Sequence, residues 1–274
     1  MAPPGLDLPL AAVLAMWLTL APIPVRAQSE VPTTAADGLA MKLQNPVANL
    51  ISVPIENNWE FSEGPAHATD YFGNVKPVIP FPLGTDWNLI TRTIVPFSYS
   101  VLLDRGLNGR AGVGDVVATI YVSPGKPIHG WFWGIGPGLV VPTATDDLLG
   151  SGKWSAGPTG AVVAQFGPWS VLTLVGQTSS FAGDPMRGNV ETTYLQPSLS
   201  YTTQTDTSIG LDTQSSYDWT AGVWVVPLEV SASQVFKLAG QEMSLGLTVR
   251  SHLDRPVFGP RWGLAFTATF LFPR

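Results

Sequence analysis

Cysteine is absent from the 274 residues. That removes thiol catalysis, thiolate metal centres and any disulfide framework. Charge is scarce: 12% of residues are Asp, Glu, Lys or Arg, against ~25% in soluble domains. Long apolar runs are lacking beyond the first 27 residues, so no later segment supplies the ~20 consecutive apolar residues of a membrane helix. A charge-poor chain without helical spans points to a membrane barrel, whose alternating strands keep hydropathy near neutral. The mean hydropathy of +0.20 agrees. A net charge of −6 argues against nucleic acid as a partner, since polyanions favour a basic patch. No Gly-x-Ser-x-Gly nucleophile elbow occurs.

What is present begins with an export signal. Leu8 to Leu20 is mostly apolar, Pro22 and Pro24 interrupt it, and Val25-Arg26-Ala27 resembles a small-residue cleavage site before Gln28. The start carries no Lys or Arg, a departure from the usual signal. Residues 28–56 read as a periplasmic N-terminal segment, with a short helix near Ala36 to Leu43 and Pro46 beyond it. A lumenal plug is one role open to this segment. Residues 57–274 read as the barrel.

From there the period is two. At the C-terminus Trp262, Leu264, Phe266, Ala268, Phe270 and Phe272 share one face, and Gly263, Ala265, Thr267, Thr269 and Leu271 the other. Side chains alternate across a strand, so one face is large and apolar and the other mostly small or polar. Similar sets occur at Trp131 to Val141, Val116 to Val122, Trp224 to Val230 and Met243 to Val249. The pattern weakens between Tyr194 and Thr213. The count is about twelve strands, an even number as single-chain bacterial barrels require. The fold class expected is all-β, a transmembrane antiparallel up-and-down barrel.

Connections alternate too. Short turns rich in Gly, Pro, Asp and Ser fall near 84–86, 123–126, 167–168 and 203–206, with longer polar loops between them. That asymmetry belongs to outer-membrane barrels. One short-side gap, Ser231 to Gly240, reads as too long. Trp87, Trp131, Trp169, Phe270 and Phe272 fall by the turns, and Tyr99, Trp154, Trp219 and Trp262 by the loops, as two interfacial girdles would.

Three stretches resemble the phenol-degradation meta-pathway family of outer-membrane proteins. They are Gln44-Asn45-Pro46-Val47-Ala48-Asn49-Leu50-Ile51-Ser52-Val53-Pro54, then Pro77 to Phe81 with Asp86 to Pro96. The third is Val235 to Leu238 with Arg255-Pro256, Gly259-Pro260, Trp262 and the ending Phe270 to Arg274. The resemblance implies an outer-membrane barrel passing small, hydrophobic or aromatic compounds, and supplies no catalytic residues. The stretch Thr202 to Ser216 departs from it.

The charges expected to face the lumen are Arg92, Asp115 and Arg250, because Arg or Lys on the lipid face costs ~2–4 kcal/mol at mid-depth. They are read either as a polar constriction or as ion pairs filling the interior. His67, His129 and His252 are expected as solvated loop residues, and Asp146, Asp147 and Asp184 as solvated loop carboxylates without calcium-loop spacing. Gly134, Gly136 and Gly138 alternate within a strand, which excludes a phosphate loop and suggests a crowded inner face. No cofactor or metal is expected. The partners expected are outer-membrane lipids, an unidentified small solute, and the barrel-assembly machinery through Phe270 and Phe272. The function expected is passive solute uptake, with no enzymatic activity. The alternatives are a closed structural or binding barrel displaying its loops and, more remotely, a barrel hydrolase.

Overall fold

The computed structural model describes residues 35–63, 68–100 and 110–273. The expected signal over 1–27 and His67 lie outside the described residues. The period-two segments form one antiparallel sheet: β1 (Leu50–Glu63), β2 (Ala68–Val75), β3 (Val78–Leu83), β4 (Trp87–Ser100), β5 (Arg110–Val113), β6 (Val116–Pro124), β7 (Trp131–Val141), β8 (Lys153–Phe166), β9 (Trp169–Gly183), β10 (Glu191–Thr202), β11 (Thr207–Asp212), β12 (Ser215–Asp218), β13 (Val223–Leu238), β14 (Gln241–Asp254) and β15 (Trp262–Pro273).

Three pairs of these segments are halves of one strand. β2 and β3 both lie between β1 and β4, β5 and β6 both pair with β4, and β11 and β12 both lie between β10 and β13. The first break falls at Lys76-Pro77, where proline has no N–H to give the ladder. Counted as continuous, the sheet has twelve strands, and β15 pairs with β1 along Leu50↔Pro273 to Phe61↔Trp262, which closes the barrel. A 14-residue strand such as β1 is ~46 Å long. Tilted at the ~40° of such barrels it still crosses the ~25 Å apolar band. Among the described residues no helix is long and apolar enough to cross a membrane.

The registers put the expected faces where the alternation required. On β15, Trp262, Phe266 and Phe272 are exposed while Ala265, Thr269 and Leu271 are buried. Through the ladders this parity runs round the barrel: Ile135, Ile209, Val230, Leu247 and Val249 point out and are half exposed or more. Gly134, Ala161, Leu174 and Ser244 point in. The exterior is thus an apolar belt, with aromatic rings at both levels. Trp169 meets Tyr201 edge-on at 4.9 Å by the turns, and Phe61 stacks on Trp262 at 4.2 Å by the loops.

Two expectations about boundaries change. The first strand starts at Leu50, seven residues before Asn57, because Leu50 to Glu56 pair with the tail of β15. The long gap read at Ser231 to Gly240 is strand as far as Leu238, leaving the two-residue turn Ala239-Gly240. Both turn residues have positive φ, 49° and 88°, the left-handed pair that a tight hairpin demands. That turn-side connection is therefore short, as the alternation requires. The weakly patterned 194–213 region is β10 and β11, interrupted at Thr213-Gln214 before β12.

Ahead of β1, α1 (Ala35–Leu43) and the turn that follows it lie against inward-pointing wall residues. Asn45 holds that turn, its side-chain oxygen accepting from the Val47 amide at 3.0 Å.

Candidate functional site in the barrel lumen

The lumen has two unlike ends. At the turn end, Leu39 and Ala40 of α1 are buried together with Ala48, Leu50, Val235 and Leu271. Val47 is buried deeper, among Ile90, Tyr121, Ala161, Val163 and Leu174. The inward glycine on β7 makes room for it: a Cβ on Gly134 would lie 2.9 Å from Val47 Cγ1 and 3.1 Å from Tyr121 Cβ. The small inner face expected around Gly134 is thus a seat for the N-terminal segment. Gln165, inward on β8, donates to the Met41 carbonyl at 2.7 Å, adding a polar anchor from the wall to a helix end whose Met41 carbonyl also accepts from the Gln44 amide at 3.2 Å.

At the loop end the wall is ionic. One level of the ladder, read across adjacent strands, runs Asp212, Glu229, Arg250, Gly263, Glu60 and Asp70. Glu229 and Arg250 face each other directly and pair through the Arg250 Nε. Arg250 also pairs with Glu60, two strands away, ~10 Å at the usual spacing. That reach depends on Gly263 between them, since a Cβ there would come within 2.6 Å of the Glu60 carboxylate. Gln214, in the break between β11 and β12, donates to Glu229 at 3.1 Å. Glu60 further accepts from His252 Nε2 at 3.0 Å. Two inward positions toward the membrane centre, Lys76 pairs with Glu56 at 2.7 Å, and Asn58 between the two levels donates to Glu56 at 3.0 Å.

A cavity of about 370 Å³ opens against this wall, lined among others by Glu56, Glu60, Glu229, Lys76, Arg250 and His252. Next to it, sharing His252 and Pro260, is a second cavity of about 420 Å³ whose other walls include Val225, Arg255, Pro256, Val257 and Phe258. The geometry can hold a solute with one polar end.

The three charges expected in the lumen take three different places. Arg250 is the hub of the ionic wall and is buried. Arg92 is inward on β4, half-buried, opposite Thr119 and Val78 at mid-height. Asp115 lies in the break between β5 and β6, where its carboxylate accepts from the Ser151 amide at 2.6 Å, the Ser151 hydroxyl at 2.7 Å and the Ala144 amide at 3.3 Å. It therefore fixes the 142–152 loop. The structure brings none of the three together.

The expectation of solvated loop histidines fails for His252. It sits on β14 with a side chain 7% exposed, because it follows Arg250 by two residues and so shares its inward face. His129 does lie in a turn, exposed and with positive φ. The loop carboxylates cap their own backbone: Asp146 accepts from the Leu148 amide at 3.0 Å and Asp184 from the Met186 amide at 2.8 Å. Among the described residues no cluster of His, Asp or Glu could hold a metal ion. Glu60, Glu229 and His252 were missed from sequence. Their signal was there, since each is on the polar parity of an alternating strand.

No protein-family model matches the chain, and no curated protein does. Solved structures do. The chain is similar to the COG4313 outer membrane channel from Pseudomonas putida F1, at 16% identity over 82% of this chain and 96% of that one, with a TM-score of 0.63. The fold is an outer-membrane β-barrel. Weaker likenesses are to the outer membrane phospholipase A from Escherichia coli (12% identity, 88% and 99% covered, TM-score 0.46) and to the Salmonella typhi outer membrane phospholipase dimer with bound calcium (11%, 88% and 98%, 0.48). The expectation that the chain is not an enzyme is corrected by these matches and is withdrawn, since enzymes are among the barrels it resembles. Likenesses this weak assign no catalytic role to its residues. The named resemblance to the phenol-degradation family rests on the quoted stretches alone.

Proposed function

We propose that this chain is an outer-membrane channel for passive uptake of a small solute, exported by its N-terminal signal and plugged at the turn end by residues 35–49. The observation that carries the reading is the combination of a lipid-compatible exterior with a lumen that holds open cavities at the loop end. Apolar side chains of 40–60% exposure, such as Leu247 and Val249, have no other solvent that favours them. Arg92 at mid-height and the Arg250 wall supply the polar screening of solutes, with Asp115 acting through the loop it fixes. Phe270 and Phe272, outward on the last strand, are the residues offered to the assembly machinery.

Planar-bilayer recording and swelling of solute-loaded liposomes test this on the detergent-purified mature protein. Discrete current steps and solute-dependent swelling are expected. Silence in both assays would leave the second reading, a closed barrel that binds or displays. The buried packing of Leu39, Ala40 and Val47 against the wall is the observation that favours that reading. Export is checked by the N-terminus of the protein recovered from outer membranes. It is expected at Gln28, and an N-terminus at Met1 overturns it.

A further inference from the structure

His252, with Pro260, lines both cavities where they adjoin. Its side chain is 7% exposed, and Nδ1 has no hydrogen-bond partner although it is buried. Such an atom is destabilising unless a partner fills the gap. A carboxylate only accepts, so Nε2 gives its proton to Glu60 at 3.0 Å. In the neutral ring Nδ1 is then a bare acceptor, and it calls for a donor.

The charge beside it chooses the kind of donor. The inner cavity carries three carboxylates, Glu56, Glu60 and Glu229, against two fixed cations, Lys76 and Arg250. Arg250 is already divided between Glu229 and Glu60, and Lys76 is held by Glu56. A neutral hydroxyl would satisfy Nδ1 but leave the excess of carboxylate unmet. An anion would be repelled by that excess. A cation bearing N–H groups answers both. Acidic walls of this kind select cations elsewhere. The outer cavity then sets the rest of the molecule: Val225, Pro256, Val257 and Phe258 offer an apolar wall, and Arg255, which also lines it, is turned to the Gly259 carbonyl at 2.7 Å.

We propose that the two cavities form one site for a small organic ammonium ion, its N–H on His252 Nδ1 and its apolar body against Val257 and Phe258. This deepens the channel reading by naming the class of solute, and it rests on that reading only for transport, not for binding.

The test is calorimetric titration of the full mature protein in a neutral detergent with butylammonium, 1-butanol and butyrate, chains short enough to stay out of the micelle. Butylammonium is expected to bind at least tenfold more tightly than 1-butanol, with no heat from butyrate. His252→Phe and Glu229→Gln should each weaken butylammonium tenfold or more, in protein whose heat-modifiable gel migration shows an intact barrel. Where either variant fails that check, Phe258→Ser serves in its place and should erase the preference for butylammonium over methylammonium. Equal binding of all three probes overturns the proposal, as does butylammonium binding that none of these substitutions alters. The readout separates the two ideas. A protein that binds butylammonium but passes no current refutes the channel and keeps the site, and current without binding does the reverse.

Discussion

At the turn end of the lumen, Leu39, Ala40 and Val47 meet an apolar patch of the inner wall. At the loop end, Arg250, Glu60 and Glu229 meet one another across the same sheet. The ladder, pleat and parity are identical, so the difference lies only in which residues occupy the inward positions. The apolar end can be closed by a segment of chain because burying methyl groups is favourable in itself, at ~25 cal/mol per Å². The ionic end resists such filling. Each charge taken from water needs a partner, and the partners come from separate strands. One end is thus suited to a plug and the other to a water-filled vestibule.

The contrast can be broken in several ways. Removing residues 35–49 is expected to have the largest effect, raising single-channel conductance several-fold. Unchanged conductance in bilayer recordings would mean the apolar end is not the constriction. Next is Arg250→Met, which takes from Glu60 and Glu229 the cation they share. The expected loss is about 3–5 kcal/mol, the cost of breaking a buried pair from one side, read from urea unfolding in detergent. A loss under about 1 kcal/mol would show the ionic wall to be well solvated.

Leu247→Arg, on the lipid face, should cost about 2–4 kcal/mol in a bilayer. Thr248→Arg, one residue on and facing the lumen, should cost clearly less. Equal losses would refute the assignment of faces. The smallest change is Gln165→Ala, which removes the polar anchor on the Met41 carbonyl. About 1 kcal/mol is expected from one such hydrogen bond, seen as more frequent open–closed flicker of the channel with little change in barrel stability.

The fold was legible because a strand repeats every two residues. Trp262 to Phe272 or Met243 to Val249 announce their faces without any knowledge of neighbours. Legibility failed where a strand is interrupted, as at Thr213-Gln214, and where a turn is only two residues long, as at Ala239-Gly240. It failed again for single charges. Arg250 was visible as inward, but the same parity held for His252, which the pattern of a loop with Pro256 and Pro260 obscured.

By itself, then, the order of residues determined that this chain is a barrel with one greasy face and one polar face, since that depends on pleat geometry within each strand. It could not determine which inward residues share a level. The meeting of Glu229, Arg250 and Glu60 depends on the stagger of β13, β14, β15 and β1, and on the empty place at Gly263. Stagger is set only when the sheet closes on itself, so the site belongs to the tertiary structure.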